Sequence, residues 1–134
     1  MVRMTEHMTS SGCVSSPIQW PCRISLAPTL APYFEGANLV IAADCTAYAY
    51  CGFHRDFMKN RIALIGCPHI EGELEKKLTD IISENDIKSI RIVRMDVSCC
   101  EGIERAAKEA IKNSGKFIPW QIITISTEGK ITEE

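Results

Sequence analysis

Several familiar signatures are missing from this sequence. Neither Gly-x-Gly-x-x-Gly nor Gly-x-x-x-x-Gly-Lys-Ser/Thr occurs, so simple dinucleotide or P-loop binding lacks support. No Gly-x-Ser-x-Gly elbow is present, which removes the serine-hydrolase arrangement. Paired Cys-x-x-Cys motifs are absent too. No apolar run approaches the roughly 20 residues that a membrane-spanning helix needs. The N-terminus has no apolar core of a secretory signal, so a cytoplasmic location is expected. Charge of one sign is also lacking. The net charge is −2 with no basic stripe, which gives no electrostatic footprint for nucleic acid or an anionic membrane.

Cysteine is the residue present in excess. Seven occur in 134 residues, an odd number with wide spacing apart from Cys99-Cys100. A disulfide framework belongs to small secreted chains. In a reducing compartment, clustered cysteines point instead to metal or thiol chemistry, set against the plain alternative of small buried hydrophobes. The length suits a single domain, with residues 1–16 as a flexible tail or linker and 17–134 as one α/β domain.

The apolar pattern places the cysteines. Ile62 to Ile65 lack alternation, as in a strand buried on both faces, and Gly66-Cys67-Pro68 ends that run. Asn38 to Ala43 is a second such run, ending in Asp44-Cys45. Lys88 to Met95 is a third, followed by Ser98-Cys99-Cys100. Cys22 to Leu26 and Pro119 to Ser126 are the remaining predicted strands. Leu74, Leu78, Ile81 and Ile82 form one stripe of a helix over Gly72–Asn85. Ile103, Ala106, Ala107, Ala110 and Ile111 do the same over Glu101–Asn113, with Gly115 as its C-cap. Thr46 to Met58 reads as a short helix or helical loop in which Phe53 and Phe57 lie one above the other. Alternating strands and helices predict a doubly wound three-layer α/β domain with a mostly parallel sheet of about five strands.

If those strands are parallel, Cys45, Cys67 and Cys99-Cys100 gather at one carboxyl edge, where open α/β sheets bind ligands. Ser98 and Glu101 match a capping box, placing Cys99 and Cys100 at a helix start that favours thiolate. The candidate metal set is therefore Cys45, Cys67, Cys99 and Cys100, with one of the vicinal pair (Cys100 favoured) as ligand and His54 as the additional one; His69 is held in reserve. Zinc or an iron–sulfur cluster would suit these thiolates. Cys13, Cys22 and Cys51 are read as structural or incidental, and His69 can also be read as facing solvent. Asp44 is read as an N-cap, and Trp20 and Trp120 as core or interface anchors. His54, beside Phe53, can equally be a structural histidine.

A set of segments carries a resemblance: Gln19-Trp20-Pro21, Ala31-Pro32-Tyr33-Phe34, Ala42 to Tyr50, Phe53-His54, Ile65-Gly66-Cys67-Pro68, Asn85 to Ile90, and Val93-Arg94-Met95 to Cys99-Cys100. From about Ser11 onward the chain resembles the C-terminal domain of a family of ferredoxin-like 4Fe-4S iron–sulfur proteins of anaerobic bacteria and archaea. The ferredoxin module that those relatives carry at their N-terminus, with Cys-x-x-Cys-x-x-Cys motifs, has no counterpart here. Cys45, His54, Cys67, Cys99 and Cys100 match positions of the family pattern. The resemblance implies a metal- or cluster-binding redox or electron-transfer module and a redox protein partner. Two other functions remain open: a thiol redox enzyme using Cys99 and Cys100, and a docking domain without chemistry of its own.

Overall fold

The computed structural model describes residues 18–133. The tail expected over residues 1–16, with His7 and Cys13, lies outside the described residues. Five strands form one sheet: β1 (Ala37–Ala43), β2 (Ile62–Gly66), β3 (Ile87–Met95), β4 (Trp120–Ile125) and β5 (Ile131–Glu133). Their order is β2-β1-β3-β4-β5. The first four run parallel, and β5 returns antiparallel to β4. Central β1 is buried along nearly its whole length, which is why its sequence is a continuous apolar run.

Two longer helices cover one face. Helix α2 (Leu74–Glu84) buries Leu74, Leu78, Ile81 and Ile82, and α3 (Glu101–Ser114) buries its five-residue Ile/Ala stripe, as the periodicity predicts. The two helices pack side by side. Each fully buried Leu or Ile contributes roughly 2 kcal/mol of transfer free energy. Gly115 ends α3 at φ 74°, and its N–H bonds the Lys112 carbonyl at 3.2 Å. An L side chain is disfavoured in that left-handed conformation.

The opposite face has a thinner cover. Helix α1 (Asp44–Ala49) is six residues long and is followed by a π-helical turn, His54–Met58. Thr46 is wholly buried, its Oγ bonded to the Ala43 carbonyl at 2.7 Å. Phe53 packs edge-on against Phe57 at 5.6 Å, and Tyr50 lies 5.4 Å from Phe57. Right-handed crossovers explain the arrangement. The β1–β2 connection steps one way across the sheet, and β2–β3 and β3–β4 step the other, so their helices fall on opposite faces.

Two elements differ from the sequence pattern. Cys22 to Leu26 is not a strand. Arg23 makes a single parallel bridge to Ile65, and Ile24–Leu26 then turns as a 3-10 helix. Ile24 is fully buried while Leu26 is 67% exposed, so the two share no face. The fifth strand is instead Ile131–Glu133, inside the acidic tail, where a lone Ile131 gives no alternation to read. Trp20 and Trp120 are not core anchors; they are 78% and 47% exposed.

Candidate functional site

The three cysteine-bearing strand ends lie side by side. The strands β2, β1 and β3 are neighbours and parallel, so Cys67, Cys45 and Cys99-Cys100 leave the same edge of the sheet. Between β1 and β3 the winding reverses direction, the position at which open α/β sheets commonly bind ligands.

Each elbow is built differently. Asp44 and Cys45 start α1, which has no side-chain cap at its N-terminus; Asp44, expected as a cap, turns instead to Arg23 at 3.1 Å. After β2, the Cys67 carbonyl accepts the N–H groups of Ile70 and Glu71, both at 2.9 Å. Pro68 therefore enters a tight turn, and α2 begins only at Leu74. After β3, Ser98–Cys100 forms a 3-10 turn leading into α3. The capping box does not form, because neither this turn nor α3 has a side-chain cap and Ser98 lies inside the turn. Arg94 holds this elbow instead. It donates to the carbonyls of Met95 and Val97 at 3.0 and 3.1 Å and to Glu104 of α3 at 2.9 Å.

The elbows are also tied to one another. Arg23 bonds Glu71, four residues past Cys67, as well as Asp44, one residue before Cys45. Hydrogen bonds to Asp44 and Glu71 raise the Arg23 pKa. Burial pulls the Glu71 carboxyl up, but hydrogen bonds from Ser25 and Arg23 outweigh it, and the net shift is downward. Asp44 Oδ1 is buried with no hydrogen-bond partner among the described residues. At the other junction a Cβ on Gly102 would stand 3.2 Å from Pro68 Cγ, so the first turn of α3 and the Cys67 loop are in close contact.

The thiols differ in access. Cys45 and Cys99 are exposed, Cys67 is half-buried and Cys100 is buried. Burial pushes the Cys100 thiol up in pKa, a hydrogen bond with the Met95 backbone opposes this, and the neighbouring Cys99 adds to the rise. Of the vicinal pair, Cys99 is the more accessible thiol. His54 lies beyond the end of α1. It lines an apolar cavity of about 230 Å³ with Trp20, Cys22, Phe53 and Met58, a cavity lined by none of the four cysteines. His69 is exposed. Among the described residues, no three His, Cys, Asp or Glu side chains are grouped so as to hold a metal ion. A closed, self-sufficient metal centre therefore does not fit this arrangement, while the donor chemistry of three accessible thiols at adjacent strand ends suits a soft metal.

Arg23 and Glu71, which set the elbow geometry, carried no sequence signal. Their spacing of 48 residues has no local logic. Cys22, read from the sequence as structural or incidental, lines the same cavity as His54.

A family model described as a Rossmann-like domain matches residues 31–134. An uncharacterized protein of Archaeoglobus fulgidus is 32% identical over 100 residues, covering 73% of this chain and 70% of that protein. No solved structure matches. Neither description names a ferredoxin-like or iron–sulfur family.

Proposed function

The chain belongs to the Rossmann-like domain family, and from that premise we propose that it is a redox module whose thiol-lined carboxyl edge receives a thiophilic metal or iron–sulfur cluster. Fold alone does not assign function, so the reading stands on the site. The observation that carries it is the placement of Cys45, Cys67 and Cys99 at the ends of three adjacent parallel strands. The resemblance to ferredoxin-like proteins supports the same chemistry. Because these thiols form no closed set, the group arrives with ligands of its own, from a small thiol or a redox protein partner docked at this edge. A bound cluster would supply one-electron transfer at a potential set by its surroundings. The chain contributes soft donors, and Arg23, Arg94 and the Pro68–Gly102 contact fix the spacing of the elbows that carry them.

Anaerobic reconstitution with iron and sulfide tests this. With a small thiol present, uptake approaches about one metal centre per chain. It falls sharply in Cys45→Ser, Cys67→Ser and Cys99→Ser and persists in Cys100→Ala. Uptake equal in wild type and in the triple serine variant would sink the reading.

A second reading follows from the exposed Cys99 beside the buried Cys100. It makes Cys99 the reacting thiol of a redox enzyme. Alkylation separates the two: Cys99 modified far faster than Cys45 and Cys67, unchanged by chelators, favours thiol chemistry.

A further inference from the structure

At the amino end of the sheet, the face under α1 changes character. Strand register places Asn38, Ser89, Arg91 and Gln121 on the same face as Val40, Val93 and Ile123. Arg61, one residue before β2, continues that row. The carboxyl half of the face is apolar and covered by α1 and the aromatic cluster, whereas this half is polar and opens into a cavity of about 260 Å³. Arg61, Ser89, Arg91, Gln121 and Trp120 line it.

Among the described residues the two guanidiniums have no acidic partner. Arg91 donates to the backbone carbonyl of Asp56 at 3.4 Å. The Asp56 carboxylate is already engaged by Tyr50 at 2.6 Å and Arg55 at 2.9 Å. No ion pair among the described residues involves Arg61 or Arg91. Burial and the charge of Arg91 both lower the Arg61 pKa, so the two cations are close enough to oppose each other. Two half-buried like charges without a counter-charge are unfavourable, and an anion between them removes that penalty.

We propose that Arg61 and Arg91 form an oxyanion site that takes the phosphate or carboxylate group of a small acidic ligand in the cavity they share with Ser89 and Gln121. Guanidinium forks match both groups bidentately. Trp120 borders the cavity from the other face of the sheet, where its ring lies 5.5 Å from Lys108 Nζ of α3. The chain's net charge of −2 argues against a diffuse basic surface, since these cations stand out on an acidic protein. The site lies at the opposite end of the sheet from the cysteines and does not rest on the redox reading.

Thermal unfolding in phosphate, succinate or chloride at matched ionic strength tests it. A ligand at roughly 100 times its Kd raises Tm by several degrees in a domain of this size. The expected result is such an increment over chloride for wild type, lost in R61Q and in R91Q and only partly kept in R61K, which retains the charge without the fork. In chloride, R61Q should be at least as stable as wild type, because a like charge has been removed. A response to phosphate alone identifies a phosphoryl ligand, to succinate alone a carboxylate, and to both a general oxyanion; each supports the site. Wild type that shows no increment over chloride, or R61Q that shows the same increment as wild type, overturns it.

Discussion

The two faces of the sheet are covered by unlike means. On one side, α2 and α3 lay regular apolar stripes over the strands, with Leu78, Ile81, Ile82 and Ile103 fully buried. On the other, a six-residue helix and a π-helical turn hold the sheet through Thr46, Phe53 and Phe57. The long-helix face buries more, but at its β4 border a cavity of about 840 Å³ stays open beside Arg94, Glu104, Trp120 and Ile122. The thin face ends early, and the polar cavity lies beyond its cover. The cover is thus unequal between the two faces.

This inequality can be attacked directly. Leu78→Ala, in the long-helix face, should cost about 3 kcal/mol. Phe53→Leu, a milder change in the aromatic cover, should cost about 1 kcal/mol. Denaturant titration measures both, and equal losses would break the comparison. Gly129 sharpens it. This glycine sits in the β4–β5 turn at φ 83°, and an added Cβ would lie 2.5 Å from the Ala49 carbonyl oxygen at the end of α1. Gly129→Ala should therefore destabilise by about 2 kcal/mol, through both the left-handed backbone and the clash. The thin face would then depend on backbone fit where the other depends on side-chain burial. A neutral Gly129→Ala in a melting experiment would refute this.

The smallest effect concerns the ion pairs that fasten α3 to β3. Glu104 is held below its ordinary carboxyl value by hydrogen bonds from Lys108 and then Arg94. A depressed folded pKa means that the stabilisation is present above the unfolded value of 4.5 and is lost as pH falls through the folded value. Glu104→Gln should lower stability by about 1 kcal/mol or less at neutral pH. The gap to wild type should close as pH drops below 4.5, as melting curves across pH would show. A gap independent of pH would place the effect in packing.

The same asymmetry governs what could be read from the sequence. The stripes of α2 and α3 span at least three turns each, long enough for periodicity to identify them and their buried residues. The three strand runs that end in cysteine were legible because burial on both faces removes alternation. The thin face was legible only as aromatic content, since a π-helical turn has no short repeat. Ile24 and Leu26 mimicked a strand because two residues two apart cannot reveal that only one is buried. Of the site, the shared edge of the cysteines followed from strand direction alone. Access did not: Cys100 looks like Cys99 in sequence, and only packing under α3 separates them. Arg23, Glu71, Arg61 and Arg91 act across the chain, so no local pattern announces them.

The segment Gln19–Arg23 runs beside β2. Gln19 Nε2 bonds the Ala63 carbonyl at 2.6 Å, and the Ile65 N–H bonds the Cys22 carbonyl at 2.9 Å. On the far side of the sheet, β5 pairs only with Thr124 and Ile125. The sheet therefore has one occupied border and one border with free ladder groups at Trp120 to Ile123 among the described residues. Strand addition needs a free border on each partner. Edge-to-edge association between copies of this chain would thus stop at two and could not grow into a filament.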